Sequence, residues 1–203
     1  MGNINQTSRL SNILHSVPYK SLSGQNTCFA HQEIDPNHYF YTSPDPKAKR
    51  IFSTVNCLPY PELYNLYKGL LPEVDFRAYG ASCPNGPLNG SKDVSSHMRE
   101  ASLGWHCKPG GGLGHSAMGW MASGRGVITK MSDHRQYGGD ATRLFEPGIT
   151  CLDIEARDVT SNCMQIRKLL DPAVCLKLSE NAYKRFREVI NYNEEELRVR
   201  KFL

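Results

Sequence analysis

The segment Trp105–Lys130, WHCKPGGGLGHSAMGWMASGRGVITK, reads as strand, glycine loop, helix, strand. The loop Gly110-Gly111-Gly112-Leu113-Gly114 lacks side chains at four of its five positions, which leaves backbone N–H groups open to a ligand. Those groups open a helix over residues 115–124, closed by Gly124. An anion at that N-terminus meets unsatisfied amides and the positive end of the helix dipole. The ligand expected from the residues alone is therefore a small molecule bearing phosphate.

Working outward, IFSTVN from Ile51 is apolar and β-branched and reads as a buried strand. Pro61 opens a helix with Leu63, Leu66, Tyr67 and Leu70 on one face, and VDFRAYG (74–80) returns as a strand. A Gly/Pro/Asn-rich loop, Ala81 to Gly90, leads to a helix striped by Val94, Met98 and Ala101. LGWHC, GVITK and TCLDI (150–154) supply three more strands. Asp171-Pro172 caps a helix carrying Val174, Leu176, Leu178, Ala182 and Phe186, and Asn193 is the expected cap of a last, basic helix. Strands alternating with helices at this spacing predict right-handed crossovers, hence an α/β fold: a single Rossmann-like domain with a parallel sheet and helices on both faces. The expected organisation is an N-terminal arm at 1–48, the domain at 49–192 and a C-terminal helix at 193–203. In the arm, the aromatic patch His38-Tyr39-Phe40-Tyr41 is expected to form a short strand docking it on the domain.

The bulk properties fit this outline. The chain has 203 residues, 39% hydrophobic and 22% charged, enough for one domain with a sizeable core. No apolar run approaches the roughly 20 residues that span a bilayer, and the N-terminus lacks a signal-peptide pattern, so a cytoplasmic protein is expected. Gln6 breaks the myristoylation spacing. Seven scattered cysteines without a C-x-x-C pair argue against a zinc site or a disulfide framework. The net charge of +4 suits a phosphorylated ligand as easily as a nucleic acid and does not by itself decide the partner. The basic stretches around Lys47, Lys49 and Arg50 and at Arg198, Arg200 and Lys201 lack a nucleic-acid motif, and nucleic acid is not expected as a partner.

Two readings compete for the central segment. Gly112-x-Gly114-x-x-Ala117, with Asp133 about 20 residues on, fits a dinucleotide fingerprint and would make this an NAD(P)-binding Rossmann protein. That fingerprint usually follows the first strand, whereas two βα units precede it here. The other reading is a resemblance. GWMASGRGVI (119–128) resembles the "EAMA-[CS]-G-x-PV-[IV]" segment in the nucleotide-sugar-binding, C-terminal half of GT-B glycosyltransferases of the glycogen-synthase-like, group 1 type. Trp105-His106-x-Lys108-Pro109 and Gly112-x-Gly114-His115 resemble the donor loop of that family, particularly in bacterial and phage members. The likeness extends over roughly residues 50 to 190, mostly in order and spacing.

The resemblance implies a glycosyltransferase donor half that takes a nucleoside diphosphate sugar, such as a UDP- or GDP-sugar, and passes the glycosyl group to an acceptor. It implies donor phosphate and sugar contacts from Lys108, Gly112, Gly114, His115, Ser116, Arg125 and Lys130, and nucleobase or ribose contacts from Trp105, His106 and Pro109. No Asp-x-Asp motif is present, and neither a metal nor any other cofactor is expected. Asp133 and His134 are further acid–base candidates, and Tyr137-Gly138-Gly139-Asp140 resembles a ligand-closing loop. The sequence departs from the family pattern at Gly119, where a ribose-holding glutamate is common, and near Gly111 or Gly112, where another glutamate contacts the sugar. Either the site uses other groups, or catalysis has weakened to leave a non-catalytic nucleotide-sugar-binding module. The family's acceptor half precedes its donor half, and at most 50 residues stand there in this sequence. Either a partner supplies that half, or this is a reduced member, or the chain is a fragment of a longer gene; an acceptor-domain protein or a homo-oligomer is the expected protein partner.

Overall fold

A computed structural model describes residues 13–15, 27–109, 115–135 and 141–203. The main sheet contains β3 (Arg50–Ser53), β4 (Asp75–Ala78), β5 (Leu103–Trp105), β6 (Val127–Thr129) and β7 (Cys151–Asp153), all parallel, in the order β4-β3-β5-β6-β7. These are five of the strands expected from the sequence. They are short and, apart from the edge strand β4 with its exposed Arg77, almost wholly buried, as strands covered on both faces must be.

Neighbouring residues on each strand feed opposite cores. Ile51, Phe76, Leu103, Trp105, Ile128 and Leu152 pack under α1 (Pro61–Leu70) and α6 (Val159–Leu169). Phe52, Val127 and Cys151 pack on the other face with α3 (His115–Ala122), α2 (Gly90–Glu100) and α7 (Pro172–Val189). Helix α3 is buried along nearly its whole length, and it lies against the sheet because β5 carries Gly104: a Cβ there would stand 2.6 Å from the Trp120 ring. Gly124, at φ +69°, ends that helix as expected.

The helix termini were largely legible. Asp171 accepts hydrogen bonds from the amides of Ala173 and Val174, with Pro172 at the first helical position. Asp158 caps α6 through the Ser161 amide. The last helix, α8 (Tyr192–Phe202), is capped by Asn191 and not by Asn193. The apolar face of α1 is also turned from its expected position. Tyr64, Tyr67 and the following Leu71 are buried, whereas Leu66 and Leu70 are each 45% exposed. The larger tyrosines win the interior because they fill the space around Trp105, with Tyr64 edge-on to both Trp105 and Phe76. Leu176 on α7 is likewise exposed.

Upstream of the sheet, β1 (Ile13–His15) and β2 (Thr27–Phe29) form a separate two-stranded parallel sheet. The patch His38–Tyr41 is a turn and irregular chain, not a strand, but Tyr39 is buried and does dock this segment on the domain. Between β6 and β7 the chain forms two short helices that the sequence reading treats as loop, α4 (Met131–Arg135) and α5 (Ala141–Leu144). The seven cysteines are free thiols, five of them buried. Among the described residues, no helix is long and apolar enough to cross a membrane.

Candidate functional site

Strand order reverses between β3 and β5, since β4 lies to one side of β3 and the later strands to the other. In open parallel sheets the carboxyl ends at such a reversal form the ligand crevice. The chain delivers to that end Ser53 and Thr54 after β3, His106, Cys107 and Lys108 after β5, Thr129 and Lys130 at β6, and Asp153 and Glu155 at β7. Helix α3 begins there as well, and the Ser116 hydroxyl donates to the Thr54 carbonyl at 3.3 Å, tying the helix start to β3.

A buried polar cluster lies behind β5 and β6. The Thr129 hydroxyl donates its one proton to the His106 carbonyl at 2.8 Å and stands 2.8 Å from His134 Nε2. The His134 Nε2–H must therefore be the donor in that second contact, which leaves Nδ1 as a bare acceptor. Among the described residues, the buried His134 Nδ1 and both buried ring nitrogens of His106 have no hydrogen-bond partner. The two imidazoles lie nearly parallel, 6.0 Å apart, with Phe145 against both. Burial, reinforced by His134 and Lys108, pushes His106 down to about 3, and burial also lowers His134 against the pull of Asp133 and Asp153. Both rings are thus neutral at neutral pH.

In front of this cluster the groups are charged. Lys130 Nζ is 3.4 Å from Glu155 Oε1 and 4.4 Å from the centre of the Tyr60 ring. The Tyr60 hydroxyl donates to Asp133 Oδ1 at 3.0 Å, while Asp133 Oδ2 is buried and has no partner among the described residues. Glu155 accepts from both the amide and the hydroxyl of Ser132. Burial opposes the Lys130 charge, but Asp133, Glu155 and Tyr60 outweigh it and hold the ammonium above its ordinary range.

Of the residues expected at a donor site, Lys108, His115, Ser116 and Lys130 come to this end of the sheet. Lys108 and Pro109 are exposed just beyond β5. Gly112 and Gly114, like Tyr137 to Asp140, lie outside the described residues. Two expectations are overturned. Arg125 precedes β6 and so sits at the opposite, amino end of the sheet, fully buried. Its guanidinium donates to the carbonyls of Arg99, Ala101, Thr42, Ser123 and Gly124, and burial pulls it down to about 10. It stitches three segments together and has no reach to a ligand at the carboxyl end. Trp105 is 1% exposed and packed among Tyr64, Tyr67 and Phe76. Consecutive residues on a strand face opposite ways, so Trp105 and His106 enter different cores and cannot flank one base.

Gly119 is packed against the segment upstream of the main sheet. A Cβ at Gly119 would lie 2.8 Å from the Tyr39 ring and 3.1 Å from Met98 Sδ. The same Tyr39 ring stands edge-on to half-buried His115, 5.3 Å between centroids. The space a longer side chain would need at position 119 therefore belongs to Tyr39. Tyr60 and Glu155 were not anticipated either. Glu155 follows a recognisable strand, which is a usable signal, but nothing in the sequence marks Tyr60.

No protein-family model and no curated protein matches the sequence. Solved structures do match. TarM superposes on 97% of this chain and 44% of its own, with a TM-score of 0.73 at 12% identity. Anabaena HepE, solved in complex with UDP and glucose, matches 98% of this chain and 64% of its own, with a TM-score of 0.70 at 15% identity. Sucrose-phosphate synthase from Thermosynechococcus elongatus matches 94% and 57%, with a TM-score of 0.65 at 15% identity. The fold is that of a Rossmann-like half of GT-B glycosyltransferases. The chain spans less than two thirds of the length of each of these proteins.

Proposed function

We propose that this chain is the donor-binding half of a glycosyltransferase, holding a nucleoside diphosphate sugar at the carboxyl ends of β3, β5 and β6. The observation that carries the reading is the gathering of Lys108, Lys130 and the start of α3 at the strand-order reversal, in a fold shared with a protein solved in complex with UDP and glucose. In glycosyl transfer the bond from the anomeric carbon to the diphosphate oxygen breaks, and negative charge builds on the departing phosphate. Fixed cations and helix-terminal amides aimed at that oxygen favour the transition state over the ground state. Lys108, Lys130 and the amides near His115 and Ser116 supply such groups. Attack on the anomeric carbon needs an acceptor, which this reading leaves to a partner half.

One observation favours a second reading, a nucleotide-sugar-binding module without turnover. Tyr39 fills the space at Gly119, so a carboxylate cannot act from that position. The test is calorimetric titration with UDP, UDP-glucose, GDP-mannose and NADH, followed by a radiolabelled-sugar transfer assay on any donor that binds. The donor-half reading expects a UDP- or GDP-sugar to bind, and Gly114→Asp to abolish that binding. Transfer or donor hydrolysis by the chain overturns the module reading, and binding of NADH alone overturns both.

A further inference from the structure

Tyr60 is the one non-glycine residue among those described with a positive φ, at φ 53° and ψ 56°. That conformation brings the Cβ of an L-residue too close to the following carbonyl oxygen and is unfavourable. It is doubly unfavourable here because Pro61 follows, and a proline pushes the residue before it toward extended backbone. Tyr60 is the N-cap of α1, yet its side chain makes no capping hydrogen bond. Local helix formation therefore does not account for the strain.

The strained backbone throws the side chain across the end of the sheet, from the loop after β3 to the segment after β6. There its hydroxyl donates to Asp133 Oδ1 at 3.0 Å, and its ring lies beneath Lys130 Nζ at 4.4 Å. Glu155 holds the same ammonium from the β7 side at 3.4 Å. A lysine chain has four freely rotating carbons, and fixing its head costs side-chain entropy. Tyr60 and Glu155 bear that cost before any ligand arrives. Lys130 keeps 22% of its side chain exposed, so the ammonium is held but not sealed.

We propose that Tyr60 is a positioning residue that preorganises Lys130 to receive the diphosphate of the donor. This inference rests on the donor-half reading for the identity of the anion, while the clamp itself stands on the geometry. The left-handed backbone is retained because relaxing it would withdraw the ring and the hydroxyl together.

The test is titration of the full chain with UDP, with uridine as a probe lacking phosphate, alongside thermal unfolding of the same variants. Lys130→Met is expected to weaken UDP by about tenfold, the loss of one charge-assisted contact. Tyr60→Leu, which removes ring and hydroxyl, is expected to weaken it by about three- to tenfold. Tyr60→Phe keeps the ring and should fall between Tyr60→Leu and the unaltered chain. In the Lys130→Met background Tyr60→Leu should add little, and uridine affinity should not change in any variant. Losses that multiply in the double variant, or that extend to uridine, overturn the positioning role. If the unaltered chain binds no UDP, the donor reading fails separately. The clamp is then judged by the double-mutant cycle on melting temperature, where absence of coupling between positions 60 and 130 overturns it.

Discussion

His106 sits at the carboxyl end of a central strand, 1% exposed, with both ring nitrogens unpartnered among the described residues. Its folded value of about 3 lies below the ordinary 6.5, so the folded state binds fewer protons than the unfolded one below that pH. The stability this represents is fully present above about 6.5 and is lost as pH falls through that value toward about 3. Within the window, unfolding free energy measured in urea is expected to drop by up to about 1.4 kcal/mol per pH unit. His106→Leu should flatten this slope, leaving the smaller share from His134. It should also raise stability at neutral pH, because two buried polar atoms without partners are replaced by apolar surface. An unchanged acid slope in the variant would sink this account. The sequence shows a histidine beside a tryptophan on a strand, and that adjacency suggested a shared base-binding role. Only the sheet's two faces, with Tyr64 and Phe76 on one and Phe145 on the other, reveal that the pair is divided.

At the scale of the element, strands and helix ends were legible because they depend on neighbours in sequence. β-branched and apolar runs gave β3 to β7, and Asp171, Pro172 and Gly124 marked termini that the chain uses. Contacts between distant segments were not legible. Arg125 reads as a cation near a phosphate loop, but its acceptors include Thr42, 83 residues away. Tyr39 belongs to a turn-rich arm, yet it packs on Gly119 in the middle of α3. That packing can be tested directly. Gly119→Glu should destabilise the chain by about 1–3 kcal/mol through overpacking. In a Tyr39→Ala background the space is vacated, and the same substitution should cost clearly less. Chemical-denaturation midpoints of the four proteins decide the matter: an equal cost in both backgrounds would mean that Tyr39 does not set the limit at position 119.

Across the whole molecule, the segment before the sheet is bound to the end of the chain. Glu195 accepts from the His31 amide at 2.8 Å and meets the His31 ring. The Tyr192 hydroxyl accepts from the Ile34 amide and donates to the Gln32 carbonyl, and Arg198 donates to the Phe29 carbonyl. α8 supplies each of these partners from more than 150 positions later, while Ile34 is also buried in the core cluster that holds Phe186 and Ile190. Two parallel strands of three residues bury too little surface to hold themselves together. Further along, Tyr39 on α3, Thr42 under Arg125 and Tyr41 against Tyr183 anchor the segment to the domain itself. Ending the chain at Asn191 should therefore release the first part of the segment and leave the second seated. Limited proteolysis with mass mapping is expected to find new cleavage within residues 27–33, with residues 39–48 still protected. Loss of protection through residue 48 would mean that α8 also holds Tyr39 in place, so that the occupancy of the Gly119 space depends on the far end of the chain.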